Sequence, residues 1–267
     1  MSRTAVVTGA SSGIGKATAA LLLTRGYRVI GTSRDPERIP AADRLPGVEY
    51  SALDLASPES VESWAGRLAD VDVLVNNAGE SQSGPLEEVP DEALRRLFQI
   101  NVFGPVRLTQ LALPGMRSRG TGRVVMVGSM LASFPLAFRS GYTASKAALK
   151  GFSDAARHEL SPYGVWLTTV EPGSINTGIS LRRTKYIGAE SPYRADFETM
   201  ITALDHNEST GIPADQVAAT IVTAIEADRP RPLYAAGSGA PYVFLLRRLL
   251  PTTVISTFTH RRHHLNR

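Results

Sequence analysis

Tyr142 and Lys146 stand four residues apart in Tyr-Thr-Ala-Ser-Lys, and Ser129 precedes the tyrosine by thirteen. Four residues is about one helical turn, so the phenol and the ammonium fall on one helix face. A positive charge beside a phenol favours the phenolate and so makes the proton easier to move. A serine hydroxyl close by could hold a carbonyl oxygen while the phenol protonates it. The chemistry that these groups suit is general acid/base work at a carbonyl or an alcohol. A Tyr-x-x-x-Lys pair alone usually means no more than a helix surface; a glycine-rich turn near the N-terminus gives it a context.

That turn is Gly9-x-x-x-Gly13-x-Gly15, between an apolar β-branched run and a helical pattern. Glycines let a backbone approach a pyrophosphate, and the helix that follows offers free N–H groups and the positive end of its dipole. Where the second strand ends, a dinucleotide site for NAD has an acidic residue on the ribose. Here Ser33 and Arg34 stand instead. An arginine can stack on adenine and pair with a 2′-phosphate, which favours NADP(H). Asp35 follows directly and weakens that reading if it points inward.

The elements that must position these groups are visible as alternation. β-rich runs cover Thr4–Val7, Tyr27–Thr32, Val48–Ala52, Val71–Val75, Arg123–Val127 and Val165–Val170, with Pro232–Ala235 as a seventh candidate. Helical patterns follow the glycine turn to about Thr24 and cover Ser57–Leu68, Asp91–Arg119 and Tyr142–Leu160. Alternating strands and helices imply a parallel sheet covered on both faces. Right-handed crossovers make it a doubly wound, Rossmann-type α/β sheet of about seven strands. No linker or repeat interrupts residues 1–267, which read as one domain. Ligands bind such sheets beyond the carboxyl ends of the strands, where every motif above falls.

Taken together, the chain resembles a short-chain dehydrogenase/reductase of the single-domain type. The matching elements are Thr8-Gly-Ala-Ser-Ser-Gly-Ile-Gly15, Asp54-Leu55, Asn76-Asn-Ala-Gly79, Asn101, Ser129, Tyr142-Thr-Ala-Ser-Lys146 and Pro172-Gly-x-x-x-Thr177. They occur in order over the first 180 residues or so. The resemblance implies that Tyr142 is the general acid/base, that Ser129 orients the carbonyl, and that Lys146 binds the nicotinamide ribose and lowers the tyrosine pKa. It also implies that Asn101 holds a water in a proton relay through Lys146. The cofactor would lie against Gly9, Ser11, Ser12, Gly13, Ile14 and Gly15, then Arg34, Asp54 and Leu55, then Asn77, Ala78 and Gly79. Pro172, Gly173, Ile175 and Thr177 would complete its nicotinamide side. A catalytically silent dinucleotide sensor, or an epimerase or dehydratase on the same fold, are the alternatives.

Composition narrows the function further. The 267 residues are 43% hydrophobic and 20% charged, ordinary for a soluble globular protein. There is no cysteine, so disulfides, thiolate nucleophiles and cysteine-ligated metals are excluded. Seven arginines and no acidic residue follow Asp228; without those seven, 22 basic face 25 acidic residues. The body is therefore not basic and does not suit nucleic acid. No signal peptide or membrane-spanning run is visible, so a cytoplasmic enzyme is expected. His260, His263 and His264 read as part of a disordered basic tail and not as a metal site. Residues 178–212 are the expected substrate lid, with Arg182 and Arg183 candidates for an anionic group. Residues 240–267 form a basic extension; the apolar stretch from Pro232 to Thr259 reads as a sheet edge strand followed by a helix that closes the substrate pocket or a subunit interface, with weak membrane-surface contact as the less favoured reading. The substrate is a small carbonyl or alcohol, and the family resemblance implies a homodimer or homotetramer.

Overall fold

Valine, isoleucine and leucine runs bounded by glycine form the strands, because branched side chains pack well on a pleat that is buried on both sides. In the computed structural model, which describes residues 2–265, seven such runs pair in parallel. They are β1 (Thr4–Val7), β2 (Arg28–Ser33), β3 (Val48–Ala52), β4 (Val73–Asn76), β5 (Gly122–Val127), β6 (Val165–Pro172) and β7 (Leu233–Ala236). Their order across the sheet is β7-β6-β5-β4-β1-β2-β3. The order reverses between β1 and β4, so a crevice opens at their carboxyl ends.

Alternate residues of each strand feed opposite cores. Ala5 and Val7 of β1 pack with α1 (Gly13–Thr24) and α8 (Ala214–Glu226), which cover one face. Val6 points the other way and joins the core built on α5 (Gly104–Arg119) and α6 (Ser140–Leu160). A third, smaller cluster joins Phe197, Met200, Ile201 and Leu204 of α7 (Arg194–Ser209) to Leu136 and Leu265.

Three segments depart from the sequence reading. Ser57–Leu68 is two short helices, α2 (Pro58–Glu62) and α3 (Ala65–Leu68), with Ser57 capping the first through the Ser60 N–H at 3.0 Å. The long Asp91–Arg119 pattern is α4 (Asp91–Phe98), a π-helical turn over Gln99–Phe103, and then α5. The C-terminal extension is ordered: α9 (Ala240–Leu249) and α10 (Thr252–Arg262) are joined at Pro251, and His263 is buried. The tail folds because its apolar residues, three or four apart in the two helices, reach the body. Arg267, one of the seven arginines, lies outside the described residues. No helix among the described residues is long and apolar enough to cross a membrane.

Candidate active site

The glycine turn is shaped by close approach. Gly9 and Gly13 have φ of +67° and +53°, the left-handed region that glycine enters without strain. A Cβ on Gly15 would stand 2.3 Å from the Gly9 carbonyl oxygen and 2.5 Å from Asn77 Nδ2. Asn77 holds the turn to the end of β4, donating from Nδ2 to the Thr8 carbonyl at 2.8 Å. The Thr8 hydroxyl accepts from the N–H groups of Asn77 and Ala78, each at 2.9 Å. Ser12, at the head of α1, makes no side-chain cap, and the first turn of α1 holds no acidic residue. Its opening N–H groups are therefore left for an anion.

A cleft of about 600 Å³ runs from this turn across the strand ends. Gly9, Ser11, Ser12, Gly13 and Ile14 line its floor, and Arg34, Asp54 and Leu55 its adenosine end. Ala78 and Gly79 lie in the middle. Pro172, Gly173, Ile175 and Thr177 line the far wall, where Thr177 packs over the turn within 3.2 Å of a Cβ on Gly13. Arg34 is exposed at the rim and has no ion-pair partner among the described residues. Asp35 turns away from the cleft: it caps the Glu37 N–H at 3.1 Å and pairs with Arg38 at 3.0 Å. These groups fit a dinucleotide: a helix N-terminus for the pyrophosphate, and an unspent guanidinium at the ribose end.

Tyr142 and Lys146 sit on α6 and line the same cleft, with both side chains buried. Lys146 Nζ donates to the Val127 carbonyl at 2.9 Å. Burial without an ionic partner pulls its pKa down to about 8. The Ser129 hydroxyl lies against the phenol, eases its ionisation, and accepts from the Leu131 N–H at 3.2 Å. Gly15 and Asn101 are buried behind the cleft surface, whereas Ser129 is half-buried beside the Tyr142 phenol.

Two expectations change here. Lys146 was expected to lower the Tyr142 pKa, yet the phenol is pushed up, because desolvation outweighs every nearby charge. The strongest opposing cation is Arg139, not Lys146. The Asn101 amide is also already engaged. Its Oδ1 accepts from the Glu80 N–H at 2.9 Å, and its Nδ2 donates to the Glu80 carbonyl at 3.0 Å and to Ser145 Oγ at 3.1 Å. A Cβ on Gly79 would lie 2.9 Å from Asn101 Oδ1 and 3.5 Å from Lys146 Nζ, so both side chains border Gly79. The π turn that carries Asn101 is a feature frequent at functional sites.

Arg139 was missed in the sequence. Its guanidinium stacks on the Tyr142 ring, 4.2 Å from the centroid. It donates to Ser81 Oγ, to the Gln82 carbonyl at 2.6 Å and to Ser83 Oγ at 2.9 Å. It is buried, and its pKa falls to about 10. Phe138, just before it, has φ of +62°, a strained conformation for a bulky residue. The ring is held edge-on by Tyr193 and Phe197, with centroids 6.3 and 5.7 Å away. The spacing of Arg139 and Tyr142, three residues on one helix end, was the available signal. Arg183 is not free for an anionic substrate: its buried side chain pairs with Asp205 and Glu208. Arg182, Tyr186 and Glu208 line the cleft instead. His260 and His263 bond back to their own helix, to the carbonyls of Ser256 and Thr259.

Comparison with known proteins agrees with this geometry. The short chain dehydrogenase family model matches residues 3–186. An oxidoreductase of Bacillus subtilis, YusZ, described as uncharacterized, is 35% identical over 92% of this chain and 93% of its own. A short-chain dehydrogenase from Streptomyces avermitilis superposes with a TM-score of 0.81 at 33% identity, over 98% of this chain and 96% of that one. One from Burkholderia cenocepacia, solved in complex with NADP, superposes at 0.76 with 26% identity, over 98% and 97% of the two chains. With a nicotinamide-cofactor cleft, a seven-stranded parallel sheet and these relatives, the chain belongs to the short-chain dehydrogenase/reductase family of oxidoreductases.

Proposed function

We propose that this protein is an NADPH-dependent reductase of a carbonyl on a hydrophobic substrate, able to run in reverse on the secondary alcohol. The observation that carries this is the buried pair of Tyr142 and Lys146 on the wall of the cleft that starts at the glycine turn. The nicotinamide, when bound, supplies the hydride. The protein does the rest. Ser129 holds the carbonyl oxygen beside the phenol, and Tyr142 gives its proton to that oxygen. A buried phenol with a raised pKa keeps its proton at neutral pH, which suits the reductive direction. Lys146 stays by the Val127 carbonyl on the cleft wall, where it can hold the cofactor ribose.

The choice of NADP(H) over NAD(H) is supported by Arg34, which has no acidic partner, and by Asp35, which is turned outward. The NADP complex of the Burkholderia cenocepacia relative agrees with it. Residues 178–212 act as the lid, through Arg182 and Tyr186. Exposed Phe103 and Phe152, beside α5 and on α6, favour a homodimer or homotetramer through those helices; a monomer by light scattering refutes that part. The test of the function is oxidation of NADPH and NADH over a panel of ketones, aldehydes, steroids, retinoids and 3-oxoacyl thioesters. NADPH-selective turnover on apolar carbonyls is expected. Preference for NADH overturns the role of Arg34, and cofactor binding without turnover on any carbonyl overturns the reductase reading.

A further inference from the structure

A second cavity adjoins the catalytic cleft, and its walls are apolar. Met130 and Leu131 begin it, directly after Ser129; Leu204 of α7 and Val243, Leu246 and Val254 of α9 and α10 complete it. The two cavities share Pro172, Gly173 and Glu208, so they abut at the loop after β6. Phe134 and Phe244 meet edge to face with centroids 5.2 Å apart, which fixes α9 against the segment that follows Ser129. The space is about 200 Å³. Pockets that enclose a whole drug-sized ligand hold roughly 300–1,000 Å³. This one suits a single flexible chain and not a second ring system. Its outer end lies between α9 and α10, where Leu246, Val254 and Phe258 are exposed. A chain longer than the cavity can emerge there without a clash.

We propose that this channel takes the alkyl chain of an amphiphilic substrate whose reacting carbonyl lies at Tyr142. The inference rests on the carbonyl chemistry proposed above and adds the shape of the substrate. Glu208 stands at the junction, with Oε1 bonded to Arg183 and Oε2 buried without a partner. A buried acceptor left unpaired is costly. A hydroxyl or amino group beside the substrate carbonyl is placed to satisfy it, so the polar part of the molecule stays in the cleft and the chain enters the channel.

Two readouts test this. The first is KM for straight-chain methyl ketones from pentanone to tridecanone with NADPH. Burial of one methylene is worth about 0.8 kcal/mol, so KM falls about four-fold per carbon until the channel is full and then levels. Leu246→Trp and Val254→Trp plug the channel from partly exposed positions and flatten the series. Leu245→Trp is the control, because that side chain is exposed on α9 and lies outside the channel. The second readout needs no turnover: fluorescence of dansyl-undecanoic acid on binding. The wild type and Leu245→Trp bind the probe, and the two plugged variants bind it about ten-fold more weakly or worse, since overfilling costs on the order of 1–3 kcal/mol. A KM indifferent to chain length, a preference for cyclic over linear ketones, or probe binding untouched by both plugs overturns the channel. Probe binding that the plugs abolish, with no ketone reduced, supports the channel and overturns the carbonyl chemistry instead.

Discussion

Arg139→Met should raise the apparent pKa of Tyr142 and shift the pH profile of alcohol oxidation upward. In that direction the phenolate is the base, so the rate climbs as pH passes the tyrosine pKa. Burial holds that pKa up, and the Arg139 charge is the largest force opposing it. The guanidinium lies 4.2 Å from the ring centroid. At about 4 Å, two charges in a medium of effective dielectric about 20 interact by roughly 4 kcal/mol, an upper bound of about three pKa units. The open cleft and a bound cofactor screen part of this, so a shift of about one to two units is expected. The assay is kcat against pH for NADP⁺-linked oxidation of a secondary alcohol, with melting temperature as the check on folding. Arg139→Lys retains a charge while losing part of the bonding to Ser81, Gln82 and Ser83. It should keep the limb nearer the wild-type position and still lower the melting temperature. Superimposable limbs for wild type and Arg139→Met would refute the reasoning.

Glu171 on β6 is fully buried beside the Ser133 hydroxyl, with no ion pair among the described residues, and desolvation raises its pKa to about 7. A raised carboxyl pKa leaves the fold most stable below the unfolded value of about 4.5, and that stability is lost as pH rises through 7. Glu171→Gln should therefore gain on the wild type by about 2–3 kcal/mol between pH 5 and pH 8.5 in denaturant titrations; a pH-independent difference would show that the carboxyl is not the cause. Arg34→Ser should raise KM for NADPH by about 10- to 100-fold and leave NADH nearly unchanged, the loss of one hydrogen-bonded charge pair. Equal losses with both cofactors would remove Arg34 from the phosphate.

The sheet and the glycine turn are legible because their signals are local. Glycines at 9, 13 and 15 answer to close approach and left-handed φ, and the strand runs answer to two-sided burial. What was hidden depends on partners far along the chain. Arg139 is held by residues 81–83, and Arg183 by Asp205 and Glu208, so neither burial nor charge pairing shows in a local window. The electrostatics of Tyr142 were read from its neighbour four residues on, whereas burial and Arg139 decide them. The segment of His260, His263 and His264 reads as a polar tail because Arg261 and Arg262 mask the apolar face that Val254, Ile255 and Phe258 begin. That face becomes visible only when Phe134 and Leu204 are there to receive it.

The central claim is that Tyr142 moves the proton while the surrounding cleft binds the cofactor. Tyr142→Phe tests it most directly, with NADPH binding followed by nicotinamide fluorescence beside single-turnover oxidation of the bound cofactor by a ketone. The account predicts that the variant binds NADPH within about two-fold of the wild type and loses at least about 10²-fold in the oxidation rate, the lower end of what a positioned acid contributes. An oxidation rate close to wild type would contradict it, because some other group would then supply the proton.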